Sequence, residues 1–215
     1  MAAGDALPSE RDLCTILDAS RVTVRKAIEL LIEDGMLTRR HGSGTFVSQR
    51  IEAPGSYLGS FSEDAQLRGE ASESIWITKI VGPATEDEAR PLEIQVGAPV
   101  ARLSRVRLST GEPLAIENAV IPAEMLVSVE EIDNSLYQAL DQRGNRPVIG
   151  TQRIRAALAG ANEASLLSIA PGAELLRIER LTRRADGRPV ELTRSAYRGD
   201  RYDFVSELRG SILAP

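Results

Sequence analysis

Arg105 and Arg107 stand two apart within the alternating run Leu103-Ser-Arg-Val-Arg-Leu108. On a strand that spacing places both guanidiniums on one face, where like charges repel unless an anion joins them. Ser62 and Ser135 each fall at the start of a short helical stretch, where hydroxyls and unpaired main-chain N–H groups can hold an oxyanion. Two guanidiniums and two hydroxyls would make a phosphate or carboxylate site. Glu117 and Glu191 are acceptors suited to hydroxyls or an amide N–H, and Phe61 and Tyr197 can supply apolar walls. The residues alone leave a second account open, in which Arg105 and Arg107 make cross-strand ion pairs on a solvated sheet face.

A second set of candidates lies within the first 50 residues. Arg21, Thr23, Arg25 and Lys26 share the polar side of a helical run that opens at Ser20. Helix N-termini favour phosphates, and a forked guanidinium can read guanine in the major groove. Arg39, Arg40 and His41 follow, with Gly42 and Gly44 permitting close backbone approach to a groove.

Other chemistries fall away. The chain has one cysteine, Cys14, and one histidine, His41. That excludes an intrachain disulfide framework, a Cys-based zinc site and most Ser/His/Asp triads, and no cofactor is expected. No run approaches 18 apolar residues and Met1 to Leu7 lacks the features of a secretory signal, so a cytoplasmic protein with no membrane partner is expected. Cys14 reads as a small core residue and Trp76 as core or interface.

The elements that position these residues can be read in order. Ser9-Glu-Arg-Asp12 is a capping signal, followed by Leu13, Ile16 and Leu17 at helical spacing. After a break at Asp18-Ala19, Ser20 caps a second helix with Val24, Ala27, Ile28, Leu31 and Ile32 on one face, and Gly35 ends it. Met36 to Arg39 and Thr45 to Ser48 read as strands joined by a hairpin. This is a winged helix-turn-helix over residues 1–48. Residues 49–57, with Pro54-Gly-Ser56, have linker composition, and residues 58–215 form the second domain.

The net charge of −5 is unevenly spread. Lys+Arg and Asp+Glu number 7 and 7 over residues 1–50, leaving 19 and 24 for the remainder. The acidic body would repel DNA and leave the neutral head to bind it. That body contains a repeat: Glu88-Ala89, Leu92, Ile94, Gly97-Ala98, Arg102 and Arg105 recur as Glu163-Ala164, Leu167, Ile169, Gly172-Ala173, Arg177 and Arg180. Each copy reads as helix, glycine turn, strand, tight turn, strand. Two copies imply an α+β domain, an antiparallel sheet with helices on one side and a cleft between the halves.

Leu7-Pro-Ser-Glu-Arg11, Ser20-Arg-Val-Thr-Val-Arg25, Asp34-Gly-Met-Leu37 and Arg40-His-Gly-Ser-Gly-Thr-Phe-Val47 resemble the winged helix of the GntR family of bacterial transcription regulators. The resemblance implies operator contacts from Arg11, Ser20, Arg21, Thr23, Arg25, His41 and Gly42. Such domains usually begin with a further helix, and six residues precede Leu7, too few to form one. The expectation is a start that lies upstream, with residues 1–48 loosely packed and weak on DNA as they stand.

Residues 58–208 resemble the effector-binding (UTRA) domain of the HutC subfamily, which has a chorismate-lyase-like fold. The motifs are Ser60-Phe-Ser-Glu-Asp64, Ser104-Arg-Val-Arg107, Ala115-Ile-Glu117, Asn134-Ser-Leu-Tyr137, Val190-Glu191 and Ser195-Ala-Tyr-Arg-Gly-Asp-Arg-Tyr202. The resemblance implies that Arg105, Arg107, Ser135 and Ser62 hold the anion of a small metabolite while Glu117, Glu191 and Tyr197 hold its polar body. The implied function is a ligand-responsive repressor that binds operator DNA as a homodimer. Its implied effector is a sugar phosphate such as an amino-sugar 6-phosphate, with urocanate-like carboxylates still open. Two rivals are an effector-binding protein with a non-functional head and a chorismate-lyase-like enzyme; the latter has no histidine, cysteine or metal cluster in the cleft to serve it.

Overall fold

The computed structural model describes residues 1, 4–33, 36–40, 43–47, 50–54, 58–130 and 132–206. The chain divides into two compact units, Met1–Glu52 with Asp200–Asp203, and Ala53–Gly199 with Phe204–Pro215.

In the first unit, α1 spans Glu10–Leu17 and α2 spans Arg21–Glu33. The Ser9 hydroxyl accepts from the Asp12 N–H at 3.2 Å, and that of Ser20 accepts from the Thr23 N–H at 3.1 Å, so both capping serines act as such. Between the helices Asp18 takes a left-handed conformation (φ 48°), which stops α1 and turns the chain. Strands β1 (Leu37–Arg40) and β2 (Gly44–Val47) pair antiparallel as the wing. The chain before α1 lies along β2: Leu7 donates to the Thr45 carbonyl at 2.7 Å and Val47 donates to that of Asp5 at 2.9 Å. The core is small. Val24 and Ile28, one turn apart on α2, meet Leu37, with half-buried Leu13 and Cys14 against them. No residue of α1 is buried, and Ile16, Leu17, Leu30 and Leu31 are exposed. The helix-ending role given to Gly35 lies outside the described residues.

Within the 49–57 segment read as a linker, Ile51–Pro54 forms a strand, β3, which pairs with a strand at Tyr202–Val205. Ile51 is buried and its N–H donates to the Arg201 carbonyl at 2.7 Å, while Pro54 stands at the strand end where no donor is required.

The second unit begins with α3 (Phe61–Leu67). Its remaining elements are β4 (Ser72–Pro83), α4 (Glu86–Leu92), β5 (Pro99–Ser109), β6 (Glu112–Pro122), α5 (Leu136–Asp141), β7 (Ile149–Leu158), α6 (Ala161–Leu167), β8 (Glu174–Arg183) and β9 (Pro189–Arg198), and the partner strand of β3, β10 (Tyr202–Val205), follows last in the chain. Six strands form one antiparallel sheet in the order β4-β5-β6-β9-β8-β7. The sequence repeat is thereby explained. Each copy is a strand, a helix and a hairpin, and the copies meet where β6 pairs with β9. In each copy the Glu of the helix accepts from the main-chain N–H that opens it, Thr85 to Glu88 at 2.8 Å and Gly160 to Glu163 at 3.0 Å. The same carboxylate then takes an arginine of the next strand, Arg102 Nε at 2.7 Å and Arg177 Nη2 at 2.9 Å. One Glu thus ties a helix start to a strand, which is why these types recur at matching places.

Side chains alternate across the strands, so the sheet has two faces. On the outer face α4 covers Val100 and Leu192, and α6 covers Val106, Ile116, Leu175 and Ala196. On the inner face Leu136, Tyr137 and Leu140 of α5 pack on Ala101, Leu103, Ala119 and Ile121. Helices therefore lie on both faces, not on one side as expected from the repeat. α5 falls between the two copies, so the repeat says nothing about where it packs.

Candidate effector and operator sites

The inner face carries the expected arginines, and both are buried, at 4 % exposure for Arg105 and 1 % for Arg107. A solvated sheet face is thereby excluded for them. Arg105 does make the cross-strand pair, from Nε to Glu117 Oε1 at 2.7 Å, in register on β5 and β6. It also donates from Nη1 to the Asn134 carbonyl at 3.0 Å. Arg107 Nη1 donates to that oxygen at 2.9 Å and to Ser74 Oγ at 2.8 Å, while its Nη2 donates to Ser62 Oγ at 3.0 Å. The Ser62 hydroxyl in turn donates to the Asn134 carbonyl at 3.2 Å. Three donors from β5 and α3 thus converge on one main-chain oxygen.

Aromatic rings support both cations. Arg107 lies 4.2 Å from the centroid of Phe61, and Arg105 lies 4.7 Å from that of Trp76, beside Lys79 at 4.3 Å. Burial pushes the Arg107 guanidinium down to about 10. Burial works to raise the Glu117 carboxyl, but Arg105 and Arg107 outweigh it and hold the group below its ordinary value. Among the described residues Arg107 Nε is buried without a hydrogen-bond partner. Ser135 Oγ accepts from the Gln138 N–H at 3.3 Å, so it caps α5 directly after the carbonyl that the arginines grip.

A second polar group lies on the same face in the other half of the repeat. Arg180, the repeat mate of Arg105, donates from Nη2 to Gln152 Oε1 at 2.7 Å and from Nη1 to the Gly59 carbonyl at 3.3 Å. Glu191 is buried and accepts from the hydroxyls of Thr182 at 3.3 Å and Thr193. Burial raises its carboxyl, with Glu117 adding to the rise. Tyr197 is buried, and burial pushes its hydroxyl up to about 12 with further upward pressure from Glu117. The Tyr137 hydroxyl is set between Arg180 and Glu191, and burial pushes it up; Asp64 Oδ1 is buried with no hydrogen-bond partner among the described residues. Each orphaned polar atom costs free energy on folding.

The fold therefore gathers Phe61, Ser62, Arg105, Arg107 and Glu117 around the Asn134 carbonyl, with Ser135 next in the chain. Glu191 and Tyr197 share the inner face on β9, in the row of strands that Arg180 joins. Arg180, Tyr137, Asp64 and Asn134 were missed as site residues. For Arg180 the signal was present, because the repeat pairs it with Arg105.

In the first unit Arg11, Ser20, Arg21, Thr23 and Arg25 are all exposed. Arg21, Thr23 and Arg25 lie in the first turns of α2, and the Ser20 and Thr23 hydroxyls are 2.8 Å apart at its start. Arg25 lies 3.9 Å from Glu10 with both side chains exposed, an arrangement of little energetic weight. His41 and Gly42 lie outside the described residues. Among the described residues no helix is long and apolar enough to cross a membrane, and no group of His, Cys, Asp and Glu could hold a metal ion.

A helix-turn-helix with a wing, followed by a duplicated sheet that buries a cationic site, defines a DNA-binding regulator with a sensor domain. Residues 1–47 match the bacterial regulatory proteins of the gntR family, and residues 67–203 match the UTRA domain. The chain belongs to the GntR family and is a transcriptional regulator of the UTRA-bearing kind. It is 36% identical over 203 residues to the HTH-type transcriptional repressor NagR of Bacillus subtilis, covering 93% of this chain and 84% of NagR. It is 32% identical over 204 residues to the HTH-type transcriptional regulator GgaR of Escherichia coli K12, covering 95% of this chain and 82% of GgaR. The crystal structure of PhnF from Mycobacterium smegmatis superposes with a TM-score of 0.72 at 32% identity, over 98% of this chain and 95% of PhnF.

Proposed function

We propose that this regulator is a repressor that binds operator DNA as a homodimer and releases it on binding a sugar phosphate, an amino-sugar 6-phosphate foremost. Operator binding is assigned to residues 1–48, through Arg11, Ser20, Arg21, Thr23, Arg25, His41 and Gly42. Sensing is assigned to residues 58–215, through Phe61, Ser62, Arg105, Arg107, Glu117, Ser135, Glu191 and Tyr197.

The convergence of Arg105, Arg107 and Ser62 on one oxygen carries the reading. A carbonyl oxygen is a neutral acceptor, whereas a phosphate oxygen accepts the same donors with charge assistance. A phosphate taking that place displaces the Asn134 carbonyl and with it the start of α5. Glu117, Glu191 and Tyr197 then face the hydroxyls and amide of a sugar. Displacing α5 alters the sensor that the two operator-binding heads share in the dimer, so their spacing no longer fits the half-sites. NagR and PhnF are both named transcriptional repressors, which supports the sign of regulation.

Calorimetry with glucosamine 6-phosphate, N-acetylglucosamine 6-phosphate and urocanate, with and without operator DNA, tests the proposal. Sugar phosphates should bind and urocanate should not. Operator should weaken effector binding by the same factor as effector weakens operator binding. Equal effector affinity with and without operator would defeat the coupling, and binding of urocanate alone would defeat the effector class.

A further inference from the structure

The outer face of the sheet has a feature that neither the operator site nor the inner site uses. α4 and α6 cover its two ends, and between them lies a recess of about 310 Å³ lined by Asn118, Arg153, Arg155, Arg177, Glu179 and Arg194. These side chains come from β6, β7, β8 and β9. Arg177 alternates along β8 with Ile178, which shares the inner face with Ser195, so the recess and the inner site lie on opposite sides of the sheet.

The charges in the recess do not balance. Glu179 is shared between Arg153 at 3.4 Å and Arg194 at 3.1 Å. Arg177 is held by Glu163 at 2.8 Å. Arg155 stands directly across from Arg177 in the β7–β8 register and has no carboxylate partner among the described residues. Four guanidiniums against two carboxylates leave a surplus of two positive charges. Like charges directly opposite on neighbouring strands are unfavourable.

Duplication does not explain this arrangement. Strand register matches Arg153, Glu179 and Arg194 with Thr78, Ser104 and Asn118 in the first copy, and Arg155 with Ile80. Only the Glu–Arg pair that ties helix to strand is common to both copies. The first copy keeps its helix and strand in place without the extra charges, so Arg153, Arg155 and Arg194 are not needed to hold the fold.

We propose that this recess is a second anion site, which takes a small molecule carrying two or more phosphate charges. Arg155 and Arg177 approach the anion from β7 and β8 and Arg194 from β9, and Asn118 adds an uncharged donor. Planar forked guanidiniums are suited to the paired oxygens of such a group.

The test uses pyrophosphate as the probe, titrated calorimetrically into the full chain at low ionic strength. One pyrophosphate per chain should bind to the outer recess. The double variant Arg155→Gln, Arg194→Gln should weaken that binding at least tenfold. Ser62→Ala, on the inner face, should leave it unchanged. Arg155→Gln alone breaks none of the ion pairs described above and should weaken binding severalfold, which keeps the test open if the double variant folds poorly. The proposal is overturned if pyrophosphate does not bind, if both Arg155 variants bind it like the parent, or if Ser62→Ala abolishes binding. It is equally overturned if the Arg155 variants lose non-operator duplex DNA as strongly as pyrophosphate, which would make the recess a nucleic-acid contact.

Discussion

Arg107, on β5, and Asn134, just before α5, are joined by a 2.9 Å hydrogen bond from a guanidinium to a main-chain carbonyl. The bond closes the inner face with a piece of the chain itself. Arg105 and Ser62 use the same oxygen, and Arg107 Nε is left with no partner among the described residues. A buried guanidinium with an unmet donor has more to gain from an oxyanion than from a carbonyl. If a sugar phosphate takes the place of that carbonyl, amides in residues 126–141 should change their hydrogen exchange on addition of glucosamine 6-phosphate, while those of α4 and α6 do not. Unaltered exchange across 126–141 at saturating ligand would show that the carbonyl stays in place.

Ser62 offers a milder probe of the same oxygen. It is half-buried in the first turn of α3, where the cap is supplied by Ser60 and not by Ser62 itself. Ser62→Ala therefore keeps the cap but removes the acceptor of the buried Arg107 Nη2, and should lower stability by about 1–2 kcal/mol. Losing one charge-assisted hydrogen bond to the anion should weaken effector affinity by about tenfold, or about 1.4 kcal/mol. Calorimetry reads the affinity and a melting curve reads the stability. A large fall in melting temperature with unchanged affinity would make Ser62 structural.

Glu88 links stability to pH. The Arg102 guanidinium, followed by the Thr85 N–H, holds its carboxyl down at about 2 against an ordinary value of 4.5. A carboxyl depressed on folding contributes stability that is present above about pH 4.5 and lost as pH falls towards 2. Glu88→Gln keeps a side-chain oxygen for the Thr85 N–H but loses the charge. The variant should be less stable than the parent by about 2 kcal/mol at pH 7. The gap should close between pH 4.5 and 2, as read from urea unfolding at several pH values. A gap that stays constant across that window would assign the loss to packing.

Local features were legible in the sequence, and long-range ones were legible only where the chain repeats itself. Ser9 and Ser20 announce their helices because a cap acts within three residues. The Arg105–Arg107 pair could be read because the period of a strand fixes its face. The β3–β10 pair could not, since its strands lie about 150 positions apart and Pro54-Gly55-Ser56 suggested a linker. The Asn134 carbonyl was equally invisible, because every residue has one and only the fold aims this one at two arginines. The setting of the Tyr137 hydroxyl is apparent only once Arg180 and Glu191 are placed on the same face.

Arg21 and Arg25 make separable predictions for operator binding. Both are exposed on α2, and among the described residues Arg25 has only the long contact to Glu10. A phosphate contact releases counterions, so its loss lowers the dependence of log K on log salt by about 0.9 per contact, with little effect on sequence preference. A base contact behaves the opposite way, costing about 1–3 kcal/mol on operator and little on unrelated DNA. In the proposed operator complex Arg21, at the very start of α2, would meet phosphate, and Arg25, one turn on, would meet a base edge. Fluorescence anisotropy of Arg21→Gln and Arg25→Gln on operator and scrambled duplexes, over a range of salt, separates the two roles. Arg21→Gln should flatten the salt dependence on both duplexes, and Arg25→Gln should weaken operator binding alone. If neither substitution changes operator affinity, α2 is not the element that reads the DNA.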